Sequence, residues 1–430
     1  MNSYENQVEH YTNRINAENG WTLEGIYADK GISGTSVKNC NEFNRMIRRC
    51  KQGKIDMIIT KSIARFARNT VDCLKYVRLL NDLGVDVYFE EQGIHSNQPG
   101  AEFYITIYGS IAQSESENIS ANVKWGKAQA AKEGKVIFRY NNFLGYRKGD
   151  DGKPEIVPEE ADIIRLIYDR FLVGDSLNGI AELLESKGVA SPSGKDKWQL
   201  STIQSILSNE KYKGDALLQK SYTVDFLTKK RTQNKGEIQM FYVEYDHDAI
   251  ISKRIWECVQ LEIKRRKKYL EEHGTNSYSH RPESNPFASK IICGDCNKVF
   301  ARKGWRSSTG VDRKVWQCSE RYKVKGVMGC ANRHVEEKTL IKAYLMAWNV
   351  LVENREDFME QWTEQLQSKN LLEGYRAEKF IEYTDGAEPL TEMDTDFMLK
   401  TLDHIKVFED GTLLVVFLDG TETECKNEEE

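Results

Sequence analysis

Four cysteines in the most basic part of the chain have the spacing of a metal site. Cys293 and Cys296 form a C-x2-C knuckle, and Cys318 and Cys330 follow it. Four thiolates are the ligand set that a structural Zn²⁺ takes in tetrahedral geometry. His334 is the alternative ligand, but four cysteines already complete such a site. The sequence therefore predicts a structural zinc site made of these four side chains.

The charge around the cysteines indicates what the metal supports. Residues 280–334 hold twelve Lys/Arg against four Asp/Glu, whereas the whole chain has a net charge of −5. Trp305, Trp316 and Tyr322 lie among these basic residues, and this combination is typical of a surface that binds nucleic acid. We therefore expect double-stranded DNA as the partner, with contacts from Arg302, Lys303 and Arg306.

Two arginines form a second candidate site near the start of the chain. Arg65 and Arg68 follow the apolar run 55–60, at the carboxyl end of a predicted strand, where α/β sheets place their sites. Because they are three residues apart, they project to one side of a helical turn. Two guanidiniums so placed can clamp a phosphate and stabilise charge at a reacting phosphoryl group. The alternative is a pair of exposed surface arginines without function.

The elements around this pair alternate between helical and strand periodicity. Strands are predicted at 21–27, 55–60 and 85–89, and helices at about 4–17, 42–51 and 71–83. This alternation predicts a mostly parallel α/β sheet. A helix of thirty-odd residues then runs from about Pro99 to Lys132, which suggests a dimerisation arm or a bridge to DNA. Its predicted apolar stripe consists of Ile105, Tyr108, Ala112, Ile119 and Val123.

The middle of the chain has the pattern of a helical DNA-binding domain. Residues 148–154 predict a linker or hairpin, and residues 159–186 are predicted to be helical. A capping box at 201–204 opens a short helix, so the segment is either a helix-turn-helix with a wing or an ordinary αα-hairpin. A further helix at 253–272 carries the basic run 264–268. From this run we expect DNA contacts by Lys264, Arg265 and Arg266.

The last part of the chain has the opposite charge. Residues 335–430 hold nine basic and twenty-four acidic residues, which predicts a region that avoids DNA. Residues 335–372 are predicted to be helical, followed by an acidic loop and a hairpin that turns at 409–411. No signal peptide and no apolar run of about 20 residues is present, so we expect a cytoplasmic protein with no membrane partner.

Several motifs, taken in chain order, resemble those of a large serine recombinase of the resolvase/invertase family. Residues 27–35, 58–69 and 112–115 are similar to its catalytic domain, and residues 143–146 and 212–214 with the four-cysteine ribbon resemble the rest. The resemblance implies a site-specific DNA recombinase of a mobile element, acting in DNA integration or excision. Such enzymes cut DNA through a 5′-phosphoserine and exchange ends in a tetramer, without a catalytic metal.

The resemblance also implies roles for residues. Arg65 and Arg68 match two phosphate-clamping arginines, and Lys61 falls within the same motif. The nucleophilic serine of the family lies on a first strand, in an Arg-Val-Ser-Thr-like motif that this sequence lacks ahead of residues 2–7, and Cys40 stands where a further arginine is usual. Without a hydroxyl nucleophile no phosphoserine can form, so the chain is predicted to be inactive as written.

The expected fold is multidomain α/β plus α+β in five parts. These are a resolvase-like domain without its first strand (1–98), a dimerisation or linker helix (99–136), a helix-turn-helix or winged recombinase DNA-binding domain (137–272), a four-cysteine zinc ribbon (280–334), and helices with a C-terminal β-hairpin (335–430). Three functions stay open. They are a shortened recombinase, an inactive DNA-binding relative that forms a homodimer or tetramer or pairs with an active recombinase, and a zinc-ribbon transcription regulator. We favour the second.

Overall fold

The structure is a computed structural model, and it describes residues 3–28, 41–67, 70–224, 230–278, 285–306, 312–324 and 327–426. The chain divides into two compact units. The first unit comprises residues 1–136 and 217–241, and the second comprises residues 137–216 and 242–430. Each unit has a hydrophobic core of its own.

A small sheet with helices around it makes up most of the first unit. Its helices are α1 (Ser3–Ala17), α2 (Asn41–Lys51), α3 (Ile63–Phe66), α4 (Thr70–Asp82) and α5 (Ala101–Lys132). Its strands run in the order β1 (Met57–Thr60), β2 (Asp86–Phe89), β3 (Ile94–His95). β1 and β2 are parallel, but β3 is antiparallel to β2, so the sheet is less parallel than expected. The predicted helices and two of the three predicted strands are confirmed.

The predicted strand at 21–27 is wrong. The described sheet has three strands, and none of them lies in residues 21–28. An apolar run becomes a strand only where a neighbouring strand completes its backbone hydrogen bonds. Here side chains hold the segment instead, because the Arg45 guanidinium lies 4.9 Å from the centre of the Tyr27 ring and Arg49 pairs with Glu24. The predicted turn at 31–34 and Cys40 lie outside the described residues.

The long helix α5 is confirmed, but the predicted stripe does not form one covered face. Ile105 is fully buried in the core, whereas Tyr108 and Val123 remain 43% and 51% exposed. Large apolar side chains are therefore left uncovered along the helix within this chain. The exposed set is Phe103, Tyr104, Ile107, Tyr108, Ile111, Ile119, Val123 and Trp125.

Four helices form one of the cores of the second unit. A hairpin of β4 (Tyr146–Lys148) and β5 (Pro154–Ile156) precedes α6 (Pro158–Leu172), α7 (Leu177–Ser186) and α8 (Leu200–Ser208). Four short strands come next in the chain, namely β6 (Ala216–Leu218), β7 (Ser221–Thr223), β8 (Arg231–Gln233) and β9 (Phe241–Val243). Residues 217–241 belong to the first unit, and within them β7 pairs with β8. The long helix α9 (Lys253–His273) packs against α6 and α8.

Residues 159–186 are helical as expected, in two helices that are separated where Gly174 adopts a left-handed conformation (φ 106°) and Ser176 caps α7. Two other expectations need correction. The capping box at 201–204 is not used, since α8 already begins at Leu200. Residues 187–199 separate α7 from α8, a longer connection than the roughly three to four residues of a tight helix-turn-helix.

The zinc-ribbon segment and the C-terminal segment share one hydrophobic core. The ribbon strands are β10 (Ile291–Cys293), β11 (Phe300–Arg306), β12 (Asp312–Cys318) and β13 (Val335–Glu336). The helices that follow are α10 (Glu337–Glu353), α11 (Arg355–Leu366), α12 (Leu371–Thr384) and α13 (Thr395–Thr401). The chain continues through β14 (Leu402–Val407), β15 (Thr412–Phe417) and β16 (Glu422–Lys426).

The C-terminal sheet is larger than the predicted hairpin. β14 and β15 form the hairpin as expected, but β16 extends it and β10 joins its other edge, giving the order β10-β14-β15-β16. The acidic loop predicted after residue 372 contains most of α12, so that expectation is wrong. Within the described part of the chain, no helix is both long and apolar enough to cross a membrane.

The basic run on α9 is divided between solvent and a buried ion network. Glu262 is 2% exposed, and its carboxylate lies 2.9 Å from Arg265, 2.6 Å from Arg266 and 2.6 Å from Arg376. Burial favours the neutral acid, but the three guanidiniums outweigh it and hold the pKa of Glu262 well below its ordinary value. Arg266 is also buried and donates to the carbonyl oxygens of Phe171 and Asp175.

The expectation that Arg265 and Arg266 contact DNA is therefore corrected. Their guanidiniums bind the interior of the second unit, and Arg265 makes a further ion pair with Asp403 at 2.8 Å. Of the three predicted residues, Lys264 alone is exposed.

We predict that Glu262→Gln destabilises the second unit by about 3 kcal/mol or more, because it leaves three guanidiniums around a neutral, buried side chain. Urea unfolding followed by tryptophan fluorescence measures this loss. Glu271→Gln is the matched control, since Glu271 is exposed and its pair with Lys267 is long, at 3.9 Å. Its effect should stay within about 0.5 kcal/mol. Equal stability of the two variants would contradict the assigned role of Glu262.

Candidate functional site

The carboxyl end of β1 leads into the turn that carries the first candidate site. α3 is a single turn in which Ile63 and Phe66 are buried, so the intervening Arg65 projects outward and is exposed. The backbone N–H of Ile63 donates to the Gln92 side chain at 3.2 Å, which ties this turn to the segment after β2. The turn therefore presents Arg65 on a fixed support.

Lys61 lies beside this turn, and its ammonium is accessible. It is exposed and lies 3.5 Å from Glu91, an exposed pair of the kind that contributes little and is easily exchanged. Arg68 lies outside the described residues, so the clamp of two arginines stays a prediction. Ser62 is the serine in the same turn, but it is 6% exposed at the helix start.

The four predicted metal ligands come together in the ribbon. Cys293, Cys296, Cys318 and Cys330 have their sulfur atoms within 4.8 Å of one another. The Cys293–Cys330 and Cys296–Cys318 separations are 3.6 and 3.4 Å. A tetrahedral zinc with Zn–S bonds of about 2.3 Å requires sulfur atoms about 3.8 Å apart. The four side chains therefore fit a zinc ion.

The electrostatics of the cluster also suit a cation. Burial opposes ionisation of Cys293, but the backbone N–H groups of Cys296 and Asp295 and the Asn332 amide outweigh it, and its pKa lies below the ordinary value. Burial, with the neighbouring thiols, raises the pKa of Cys330 to about 11 and that of Cys318 further. Zinc binds thiolates, so metal binding by these four side chains would release thiol protons.

Asn332 contacts this cluster and was not predicted. It is fully buried, and its Nδ2 donates to the Cys293 sulfur at 3.2 Å and to the Val407 carbonyl at 2.6 Å. Its position two residues after Cys330 is the only signal in the sequence. His334, the alternative ligand, instead packs against Trp305, with ring centres 4.5 Å apart and ring planes at 50° to each other.

The predicted DNA-contact residues of the ribbon differ in accessibility. Lys303 is exposed and donates to Gln317 at 2.8 Å, whereas Arg302 is mostly covered and lies 2.7 Å from Glu337. The side chain of Arg306 lies outside the described residues. Trp305 is 41% exposed, but Trp316 is buried in the core, so it cannot contact DNA as expected. The exposed lysines on α9 are further candidates for DNA contact, namely Lys264, Lys267 and Lys268.

Three family models match the chain in order. The one described as the resolvase N-terminal domain matches residues 1–136, the recombinase model matches residues 158–266, and the recombinase zinc beta ribbon model matches residues 286–349. Together they span more than half of the chain. The chain belongs to the large serine recombinase family. The four-thiol cluster falls in the matched ribbon, and Lys61 and Arg65 fall in the matched resolvase domain.

Curated relatives match this chain over different lengths. A putative DNA recombinase of Bacillus subtilis is 27% identical over 73% of this chain and 62% of its own length. A resolvase/recombinase of Pseudomonas putida is 29% identical over 25% of this chain and 58% of its own. The chain spans about three fifths of the length of these curated relatives.

Two solved structures are each similar in fold to 69% of this chain, and the match covers 99% of each solved chain. One comes from work on the sequence requirements of the Listeria innocua prophage attP site, with a TM-score of 0.39 and 16% identity. The other is a crystal structure of an LSR–DNA complex, with a TM-score of 0.37 and 15% identity.

We predict that Cys296→Ser loses the bound metal and unfolds the ribbon, because zinc-binding free energy is folding free energy in such modules. Metal content by mass spectrometry of the intact chain and thermal unfolding measure the two effects. Cys258→Ser is the matched control, since Cys258 is a buried cysteine in the other core of the second unit. It should keep a full complement of metal. Unchanged metal in Cys296→Ser would contradict the assignment.

Proposed function

We propose that the chain binds double-stranded DNA at a recombination site and takes part in site-specific integration or excision of a mobile element. The observation that carries this proposal is the basic ribbon with a zinc-compatible thiol cluster, following resolvase and recombinase domains in one chain. Structural Zn²⁺ bound by Cys293, Cys296, Cys318 and Cys330 is the proposed cofactor, with no catalytic metal. When bound, the ion supplies cross-linking of the ribbon and no chemistry on DNA.

DNA contact is proposed to come from exposed basic side chains. Lys264, Lys267 and Lys268 on α9 and Lys303 on β11 meet this condition, and Arg306 stays a candidate from its place in the basic segment. Lysine–phosphate contacts are independent of sequence and weaken steeply with salt. In the first unit, Arg65, Lys61 and Arg68 are proposed to hold the phosphate at which the family cuts.

Self-association is proposed to use α5. Eight large apolar side chains lie exposed along it, several of them aromatic, and residues of this kind are enriched in protein–protein interfaces. A homodimer or tetramer, or pairing with an active recombinase, would cover them. A cytoplasmic location follows from the DNA partner. A zinc-ribbon transcription regulator is the alternative, and it is not favoured because it gives no role to the resolvase domain.

We further propose that a polypeptide of residues 1–430 binds DNA without cutting it. Covalent strand transfer needs a hydroxyl at the phosphate held by the arginines. In the turn that presents Arg65, the neighbouring Ser62 is buried.

We predict that Lys264→Ala, Lys267→Ala and Lys268→Ala together weaken binding to specific and unrelated duplexes alike. The slope of log K against log salt should shrink by about one for each lost phosphate contact. Fluorescence anisotropy over a salt series measures both values. Lys342→Ala is the control, because Lys342 is an exposed lysine in the acidic C-terminal segment. An unaltered slope in the triple variant would place the DNA elsewhere.

We predict that the 430-residue polypeptide shifts supercoiled DNA carrying the junction sequence of its mobile element but forms no covalent adduct. Denaturing electrophoresis of the DNA, without protease treatment, detects any protein–DNA link. A covalent adduct would show that a hydroxyl of this chain acts as nucleophile and would overturn the proposed inactivity. Absence of a shift at low salt would overturn the DNA-binding proposal itself.

A further inference from the structure

Cys293, the first cysteine of the metal cluster, lies beside β14, a strand more than a hundred residues further along the chain. β10 pairs in parallel with β14, with Ile291 opposite Ile405 and Cys293 opposite Val407. The backbone N–H of Ile405 donates to the carbonyl oxygen of Lys290 at 2.8 Å. The backbone N–H of Gly294 donates to the carbonyl oxygen of Val407, also at 2.8 Å. Cys293 is therefore held by the edge of the C-terminal sheet as well as by its own knuckle.

Asn332 joins these same two groups through one side chain. Its Nδ2 donates to the Cys293 sulfur at 3.2 Å and to the Val407 carbonyl at 2.6 Å, in a fully buried position. Arg321 fixes the backbone at this point, since its guanidinium donates to the carbonyl oxygens of Ala331 and Asn332. A donor to a thiolate stabilises its charge and sets its direction, as groups behind metal ligands generally do.

The knuckle also fits closely against the end of β14. Gly294 lies directly against the ring of Phe408, and a Cβ atom at Gly294 would overlap that ring. Glycine is required here by the close approach of the two segments and not by an unusual backbone angle. The metal knuckle and the turn after β14 are thus complementary in shape.

The ribbon family match ends at residue 349, before any of these C-terminal contacts. Yet Cys293, Phe300 and Trp316 of the ribbon share one core with Leu402, Ile405 and Val407 of β14. The C-terminal segment is strongly acidic, a charge that disfavours contact with a phosphate backbone. Its contacts with the thiol cluster call for a different explanation.

We propose that β14 and Asn332 are part of the metal-binding unit, so that metal affinity and docking of the C-terminal sheet depend on each other. Asn332 is a positioning residue that orients Cys293 toward the ion. Metal bound by the four thiols fixes Cys293 and thereby the edge on which β14 pairs. A docked β14 in turn holds Cys293 where the ion needs it, because such coupling between two sites is reciprocal. The inference rests on the proposed zinc site.

Substitution of Asn332 tests the positioning role. Asn332→Ala should weaken zinc binding by about 10- to 100-fold in competition with a chromogenic chelator. The Co²⁺-substituted variant should keep tetrahedral absorption bands with a shifted thiolate-to-metal charge-transfer band. Asn349→Ala is the matched control, because the Asn349 side chain also bonds a distant backbone segment, at Leu390, and makes no hydrogen bond to a thiol among the described residues. It should leave zinc affinity and the Co²⁺ spectrum unchanged.

A double-mutant cycle tests the docking role even if Asn332→Ala folds poorly. Gly294→Ala should lower zinc affinity, because its new methyl group collides with Phe408. Adding Phe408→Ala should restore much of that affinity, since the colliding ring is then absent. If Gly294→Ala, Phe408→Ala and the double variant change zinc affinity additively, the knuckle and β14 are not coupled and the proposal is wrong.

Hydrogen exchange of the full chain separates failure of this proposal from failure of the zinc site. Chelation of the metal should increase exchange at the amides of Gly294 and Ile405 and leave the amides of α4, in the other unit, unchanged. If the chain binds zinc but exchange in β14 is the same with and without it, the coupling is absent while the zinc site stands. If the purified chain takes up no zinc, the proposed metal site fails and the coupling with it.

Discussion

The packing of four sulfur atoms within 4.8 Å is the constraint on which the second half of the molecule depends. Four thiolates this close repel one another strongly, so full ionisation requires a divalent cation among them. The long ribbon strands carry exposed basic residues, so part of the ribbon surface adds little apolar burial. The buried remainder of the ribbon packs on the C-terminal sheet, which makes the thiol cluster the centre of a larger folded body.

Helix α9 shows how one charged stretch serves two purposes. Its run of five basic residues passes around the helix, so the side chains at 265 and 266 face the interior while those at 264, 267 and 268 face solvent. The inward pair is stable only because Glu262, Asp403 and backbone carbonyls compensate its charge. On the outward side, the ion pairs that the described residues make with the lysines at 267 and 268 involve exposed glutamates one helical turn away. Such pairs are weak, so these ammonium groups can exchange their present neighbours for phosphate.

The sequence predicted the elements with strong local signals and missed those set by distant neighbours. The helices at 41–51, 70–82 and 101–132 and the strand pair of the C-terminal hairpin carry clear periodicity and were predicted correctly. The apolar run at 21–27 has a strand composition but no strand beside it among the described residues. The burial of Arg266 and the contact of Asn332 with Cys293 both depend on residues tens of positions away. The composition and the spacing of residues do not reveal such long-range contacts.

The candidate functional residues show the same contrast between strong local signals and dependence on distant partners. The four cysteines were identified from spacing alone because a metal restricts ligand type and number so tightly. The phosphate site was harder, since exposed arginines are common and only the resemblance to a family singled out Arg65. What places Arg65 is local, a single turn whose apolar residues point inward, but its proposed function depends on DNA and a nucleophile that this turn does not itself supply. A binding role therefore follows from the second unit more directly than a catalytic role follows from the first.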